Sequence, residues 1–376
     1  MSAPGPHAPD QAATRHTDVL VMGGGQAGLA AGYHLRRAGL EPGGGFTILD
    51  AALEPGGAWA RMWPSLRAFS PPEYSSLPGW LMPRWDGEAF PPAAHVADYL
   101  ARYEARYELP VLRPVRVRSV CRQDGDPGGL LRVDSDGGAW TAGAVISATG
   151  TWARPFVPHY PGQELFRGQQ LHTAGYRSAG ALAGQDVVVV GGGNSAAQLL
   201  AEISTVARTT WVTPRQPRFL PDDVDGRVLF EVATARRRAL DAGRADTGGV
   251  ASLGDIVMVP SVREARARGV LVAHPMFERL TAEGVAWSDG RRSRADTVLW
   301  CTGFRPALGH LAPLGLRGPD GHIATDGTRA IGEPRLHLLG YGDWTGPASA
   351  TLIGVGRTAR DAVSEIVHRG VVAASS

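Results

Sequence analysis

The chain has 376 residues, with 43% hydrophobic and 20% charged residues and a formal net charge of +2. These values fit roughly two or three ordinary folded domains and give no basis for binding nucleic acid or an anionic membrane. No apolar run approaches the roughly 18 residues needed to span a bilayer, and the two cysteines, Cys121 and Cys301, form no C-x-x-C pair for dithiol or zinc chemistry.

All 38 basic residues are arginine, which excludes a lysine Schiff base and supplies planar forks suited to phosphates. The composition fits a reducing cytosol, so a cytoplasmic location is expected. Met1 to His16 is Pro-rich and polar and reads as a disordered tail, neither signal nor transit peptide.

Val19 to Met22 reads as a buried parallel strand. It runs into Gly23, Gly25, Gln26, Ala27 and Gly28, and then into an Ala/Leu-rich helix. Strand, glycine turn and helix N-terminus together make a dinucleotide fingerprint: the turn brings backbone to a pyrophosphate, and the helix end supplies N–H groups. Phe46 to Asp50 is the next strand, and Asp50 stands where a carboxylate accepts from ribose hydroxyls. Gly56-Gly57-Ala-Trp59 follows as a second glycine pair near the same cofactor. Arg61 to Pro92 is rich in aromatics and proline. Such a stretch is either a site wall or, for most of these rings, a satellite core under a loop. His95 to Glu108 reads as a helix.

Pro114 to Val120, with Val117 inside it, Leu130 to Val133 and Ala139 to Thr141 alternate as a β-meander. Val145 to Ala148 returns to the main sheet and ends in Ala148-Thr149-Gly150. The glycine motif then recurs. Asp186 to Val190 leads into Gly191, Gly193, Asn194, Ser195 and Ala196, and the matching strand end is Val298 to Trp300 with Thr302-Gly303. The repeat is therefore a whole nucleotide-binding domain, and two such domains suggest a flavin and a nicotinamide dinucleotide held face to face.

The expected architecture is α/β, with two Rossmann-like three-layer domains. A discontinuous FAD domain, residues 17–155 and 299–376, carries the meander. An NADPH domain, residues 156–298, carries an insertion at 221–269. After the second domain's second strand, Thr209 to Thr213, the chain reads Pro214-Arg215-Gln-Pro-Arg218 where NAD binders place an acid. Arg215 and Arg218 are suited to a 2′-phosphate, so NADPH is expected over NADH. The insertion reads as helix over Val228 to Asp241, a Gly-rich Ala245 to Gly254, and a basic helix over Val262 to Arg268. It offers a lid, a substrate wall or an oligomer contact such as a homodimer. Asp222, Asp223 and Asp225 have no accompanying His and are expected to cap the following helix, with no metal bound. Late in the chain, Leu336 to Asp343 is a strand ending in Gly342-Asp343. Thr351 and Leu352 then open a helix whose N-terminus favours negative charge near a flavin.

Phe166, Gly168, His172 and Tyr176 match the pattern F-x-G-x-x-x-H-x-x-x-Y between the two glycine motifs. On these residues the sequence resembles the two-dinucleotide-binding-domain flavoproteins of the flavin-containing monooxygenase superfamily. It is most similar to the ArsO-type enzymes of bacterial arsenic-resistance clusters. The similarity includes Phe69 to Trp80, Arg218 to Gly226 and Gly340 to Thr351. The resemblance implies that Gly23, Gly25, Gly28, Asp50, Gly57, Trp59, the Val117 backbone, Asp343 and Thr351 hold FAD. It implies that Gly191, Gly193, Asn194, Ser195, Ala196, Arg215 and Arg218 hold NADPH. Phe166 to Tyr176 then becomes the linker coupling the two.

The implied activity is NADPH-dependent monooxygenation through a C4a-hydroperoxyflavin, using O₂ and a small soft nucleophile such as a trivalent organoarsenical. The sequence departs from the family near Ser70-Pro71, where many members carry an Asn that supports the oxygenated flavin. Ser70, His172 and Tyr176 are the candidates for residues near the chemistry, and His172 does not read as a general base. The alternatives are an NADPH-dependent reductase serving a quinone or other acceptor, and a flavin/NADP redox sensor.

Overall fold

The structure, a computed structural model, describes residues 14–87, 90–126, 128–224, 226–243 and 256–370. In chain order the first part contains β1 (Arg15–Met22), α1 (Gln26–Arg37), β2 (Phe46–Leu49), α2 (Ala93–Arg106), β3 (Val111–Leu112), β4 (Val117–Arg122), β5 (Leu131–Ser135) and β6 (Gly138–Ser147). The middle contains β7 (Gln169–His172), β8 (Asp186–Val190), α3 (Asn194–Ile203), β9 (Arg208–Thr213), α4 (Gly226–Asp241), α5 (Pro260–Ala267), β10 (Ala273–Pro275), β11 (Arg279–Thr281), β12 (Gly284–Ala286), β13 (Arg292–Arg294) and β14 (Thr297–Trp300). The chain then returns through β15 (Thr325–Asp326), β16 (Arg329–Ala330), β17 (Glu333–Leu338) and α6 (Leu352–His368).

The first sheet runs β15-β16-β17-β6-β1-β2-β3, with β5 and β4 added beside β6. β17, β6, β1, β2 and β3 are parallel. A parallel strand covered on both faces must be apolar throughout, and Val19, Leu20, Val21 and Met22 are all fully buried. On one face α1 and α6 pack through small residues, Ala30 and Ala31 against Val355, Ala359 and Ala362, with α2 beside them. On the other face lie the meander and Leu308, Leu311 and Leu314. The expected strands at Ala139–Thr141 and Val145–Ala148 are one continuous β6. Its first half pairs antiparallel with β5, and its second half pairs parallel with β17.

The second sheet is β10-β9-β8-β14-β7, parallel throughout. Two boundaries move. β14 belongs wholly to this sheet, so the crossover back to the first domain follows Trp300 rather than residue 298. Arg15 and His16 pair with Trp140 and Thr141, so β1 reaches into the expected tail, whose remainder to residue 13 lies outside the described residues.

The aromatic stretch 61–92 divides between the two domains. Leu77 and Met82 join the first core and Trp80 packs on it. Tyr99 and Tyr103 of α2 pin this part by donating to the carbonyls of Trp80 at 2.7 Å and Pro78 at 2.6 Å. Trp63 and Leu66 instead join the second domain's core, with Phe69 and Phe90 packed against it. The expectation that most of these rings form a satellite core is thus corrected: half of the stretch is interdomain packing. Among the described residues, no helix is long and apolar enough to cross a membrane, and no cluster of His, Cys, Asp or Glu could hold a metal.

Candidate cofactor and active site

The first glycine turn is sealed by its neighbours. Gly23 adopts φ +107°, and a Cβ on Gly28 would stand 1.8 Å from the Gly23 carbonyl oxygen. Helix and strand therefore meet backbone to backbone, which only glycine allows. Gly57 comes equally close: its Cβ position is 2.9 Å from the Gly25 Cα. Gln26 ties three segments together. It accepts from the Trp59 indole N–H at 3.0 Å and donates to the Ala350 carbonyl at 2.7 Å, just before the N-terminus of α6. Ala27 is buried beside it.

Asp50 follows the end of β2, beside the loop. Its Oδ2 accepts from Arg113 Nε at 2.9 Å, and Arg113 is forked onto Glu104 of α2 at 2.6 and 2.7 Å. The Arg113 and Asp50 side chains are only 10% and 13% exposed. Burial opposes the Arg113 charge, but Glu104 and Asp50 outweigh it and raise its pKa. Val115 N–H donates to the Asp50 carbonyl at 2.8 Å, which brings Val117 at the start of β4 into the same neighbourhood. Sequence reasoning missed Arg113 and Glu104. The available signal was topological: Leu112-Arg113 ends the strand beside the Asp50 strand, at the carboxyl edge where open α/β sheets bind ligands.

The returning loops meet on one hydroxyl. Tyr341 Oη lies 2.7 Å from both Ser147 Oγ and Thr149 Oγ1, and it accepts from the Thr149 N–H at 3.2 Å. This joins the Ala148–Gly150 turn to the Gly340–Asp343 turn. Thr351 caps α6, accepting from Gly354 N–H at 3.0 Å and donating to the Ala348 carbonyl at 2.7 Å. Its side chain is committed to the helix end, and Leu352 is buried behind it. Asp343 is 60% exposed and pairs with Arg236 of α4 at 3.2 Å.

The second glycine turn is open. Gly191 has φ +133°, yet a Cβ on Gly193 would meet nothing within 4 Å, and Ala196 is fully buried against the strand. A cavity of about 350 Å³ opens beside it, lined by Gly192, Gly193, Asn194, Pro214 and Arg215 among others. Ser195 is half-buried next to it. The Asn194 side chain is turned elsewhere, its Oδ1 accepting from Val257 N–H at 2.8 Å. Arg215 and Arg218 do not share this wall. Arg218 is exposed, and its carbonyl accepts from Ile256 N–H at 3.1 Å, which leads the chain past the cavity.

The linker residues are structural in their contacts. His172 Nδ1 accepts from Ala174 N–H at 3.1 Å, so the proton sits on Nε2, which donates to the Gly303 carbonyl at 3.0 Å. Burial lowers its pKa, and this neutral tautomer has no free nitrogen for base chemistry. Thr302 Oγ1 donates to the Phe156 carbonyl. Phe166 is buried, and a Cβ on Gly168 would collide with its ring and with the Asp296 carbonyl. Tyr176 is 1% exposed and stands edge-on to Trp63. Burial and the nearby Glu202 push its phenol up, so it stays protonated. Ser70 Oγ is 3.0 Å from Ser75 Oγ, within its own loop. Asp222 forks onto Arg266 of α5 at 2.6 and 2.9 Å rather than capping α4, and Asp225 lies outside the described residues.

Each glycine loop brings backbone close to a helix N-terminus, and a cavity of about 350 Å³ with Arg215 on its wall adjoins the second, a geometry suited to a dinucleotide pyrophosphate. The fold and site thus define an oxidoreductase of the class that pairs a flavin with a nicotinamide dinucleotide. Residues 20–243 match the pyridine nucleotide-disulphide oxidoreductase family. A flavin-containing monooxygenase from Stenotrophomonas maltophilia is 51% identical with a TM-score of 0.84, covering 95% of this chain and 99% of that one. An uncharacterized oxidoreductase, CzcO, from Bacillus subtilis is 27% identical over 93% of this chain and 99% of its own length. The fold is shared with the bacillithiol disulfide reductase of Bacillus cereus, at TM-score 0.71 and 17% identity. The chain belongs to the pyridine nucleotide-disulphide oxidoreductase family and, within it, to the flavin monooxygenases. It is a flavin-dependent oxidoreductase of a pyridine-nucleotide family.

Proposed function

We propose that the enzyme prefers NADPH to NADH and inserts one atom of O₂ into a soft nucleophile, a thioether or a trivalent organoarsenical. The observation that carries oxygenation over disulfide reduction is the state of the cysteines. Cys121 lies in β4 of the first domain and Cys301 follows β14 of the second, and burial pushes the Cys301 thiol well above its usual range. Electrons therefore have no protein dithiol to enter. The stretches similar to ArsO-type enzymes support the arsenical, whose lone pair is chemically comparable to that of a thioether.

Bound flavin supplies the oxygen activation, and the chain's residues supply placement and dryness. The sealed loop around Gly23, Gly28 and Gly57, with Asp50 beside it, would hold FAD. The Gln26–Trp59–Ala350 tie fixes the helix N-terminus of α6 against that loop. The Gly191–Ala196 turn and Arg215 would hold NADPH. Neutral His172 keeps the interdomain linker seated on Gly303 and moves no proton. The reaction is balanced as substrate, O₂, NADPH and H⁺ giving oxygenated substrate, NADP⁺ and water.

The test is turnover under ¹⁸O₂ with methyl phenyl sulfide and with methylarsenite, following NADPH and peroxide together. The expected result is one labelled oxygen in the product per NADPH consumed. Recovery of all the electrons as peroxide, or anaerobic NADPH oxidation driven only by a quinone, would replace this reading with a reductase.

A further inference from the structure

We propose that a groove on α3 and α5, away from both glycine loops, is a second ligand site. It takes a small primary ammonium compound that carries a carbonyl group, as an amino-acid amide does. The inference is independent of where the cofactors are placed.

Three segments build the groove. Gln198, Ala201 and Glu202 are spaced three and four residues apart and so share one face of α3, with Thr205 just beyond its end. α5 buries Val262 and Ala265 and leaves Ser261 and Glu264 exposed on the groove, with Arg268 following. Trp63 and Ser65, from the aromatic stretch after the first glycine loop, close the third side. The cavity between them has a volume of about 360 Å³ and shares no lining residue with the one beside Gly193.

Its floor calls for a hydrogen-bond acceptor. Gln198 is only 8% exposed, and its Nε2 is buried without a hydrogen-bond partner. An unpaired buried amide destabilises the fold, and an incoming carbonyl oxygen removes that cost. Trp63 and Ala201, both buried, supply apolar surface beside it. The charges set the sign of the ligand. Glu202, half-buried, accepts from Ser65 Oγ at 2.5 Å. Glu202 and Glu264 face a single cation, Arg268, whose Nη2 is already given to the Ala201 carbonyl at 2.9 Å and to Ser204 Oγ at 3.2 Å. The groove is therefore net negative and favours an ammonium group over a carboxylate or phosphate. An amino-acid amide meets all three demands: its carbonyl for Gln198, its ammonium for the carboxylates, its side chain for Trp63 and Ala201.

The experiment is calorimetric titration of the flavin-loaded enzyme with phenylalaninamide, with and without saturating NADP⁺, for the wild type, Gln198→Leu and Glu264→Gln. Phenethylamine, which lacks the carbonyl, and N-acetylphenylalaninamide, which lacks the ammonium, serve as paired probes. Phenylalaninamide is expected to bind the wild type equally well with and without NADP⁺. Each paired probe binds about tenfold more weakly, and each variant weakens phenylalaninamide by about tenfold, the scale of one lost hydrogen bond or charged contact. Gln198→Leu keeps the shape of the floor and removes the unpaired amide, so its melting temperature does not fall. Glu264→Gln lies on the exposed rim and tests the charge without touching the core. No binding of phenylalaninamide to the wild type, or equal binding to all three proteins, would overturn the site. Displacement of phenylalaninamide by NADP⁺ would also overturn it, by moving the ligand to the cavity beside Gly193.

Discussion

The two glycine loops share one motif and an equally tight first glycine, Gly23 against the Ala148 carbonyl and Gly191 against the Cys301 carbonyl, but differ beyond it. The first is locked on every side: Gly28 against Gly23, Gly57 against Gly25, Gln26 onto Trp59 and Ala350, Asp50 onto Arg113. The second keeps a clear approach at Gly193 and faces a cavity with an exposed arginine. A locked loop suits a group that stays, and an open one suits a group that comes and goes each turnover. On the proposed placement, the difference would separate a prosthetic flavin from an exchanged nicotinamide cosubstrate, although the two motifs read almost alike.

The sharpest way to break the comparison is a single methyl. Gly28→Ala places a Cβ 1.8 Å from a backbone oxygen that cannot move aside. The expected loss exceeds about 4 kcal/mol, seen as little soluble protein and no bound flavin. The counterpart on the second loop already holds a Cβ, so Ala196→Gly costs only about 1 kcal/mol. Equal losses at the two positions would show that the loops are sealed alike.

Next in size is Arg113→Met. It leaves Asp50 and Glu104 facing each other without their cation, which costs about 3–5 kcal/mol for a buried network. Thermal melts and flavin retention would report it, with NADPH affinity of the surviving protein little changed.

These residues also mark what the sequence made legible. Both glycine turns, Asp50, the linker pattern and the two-domain architecture were readable because each is a local run of residue types with a fixed chemical use. Arg113 and Glu104 were not, since their role comes from a third strand and a helix meeting over the Asp50 strand end. The same limit explains the split of residues 61–92. Aromatic content announces burial, but not which of two cores receives each ring. It also explains Asn194 and Thr351. Their positions in the motifs are as expected, while their side chains serve Val257 and the α6 cap.

Acid should act on the locked half first. His310, in the turn that contacts Ser147, and His337 in β17 both belong to the first domain, and burial lowers each pKa from 6.5 to about 4. A histidine depressed in the folded state takes up its proton first in the unfolded state. Its contribution is therefore complete above about pH 6.5 and is lost as pH falls toward 4. By pH 5 the loss is about 2 kcal/mol for each. Urea melts at pH 7.5 and pH 5 should show this, with flavin release leading the transition. His310→Gln should remove about half of the pH dependence; an unchanged slope would place the acid sensitivity elsewhere.

The smallest effect probes the open loop. Arg215 lies on the cavity wall and is exposed, so removing it should leave the folding stability within about 0.5 kcal/mol of the wild type. What it loses is a charged contact available only to the 2′-phosphate. Arg215→Ala should raise KM for NADPH about tenfold, equivalent to about 1.4 kcal/mol, and leave KM for NADH within about twofold. Arg218→Ala should do less, because its side chain is not on that wall. Neither change should alter flavin content, since the sealed loop is independent of both. Equal shifts for NADPH and NADH in Arg215→Ala would mean that the arginine holds the shared part of the dinucleotide. The preference for the phosphorylated cofactor would then have to come from another residue of the open loop.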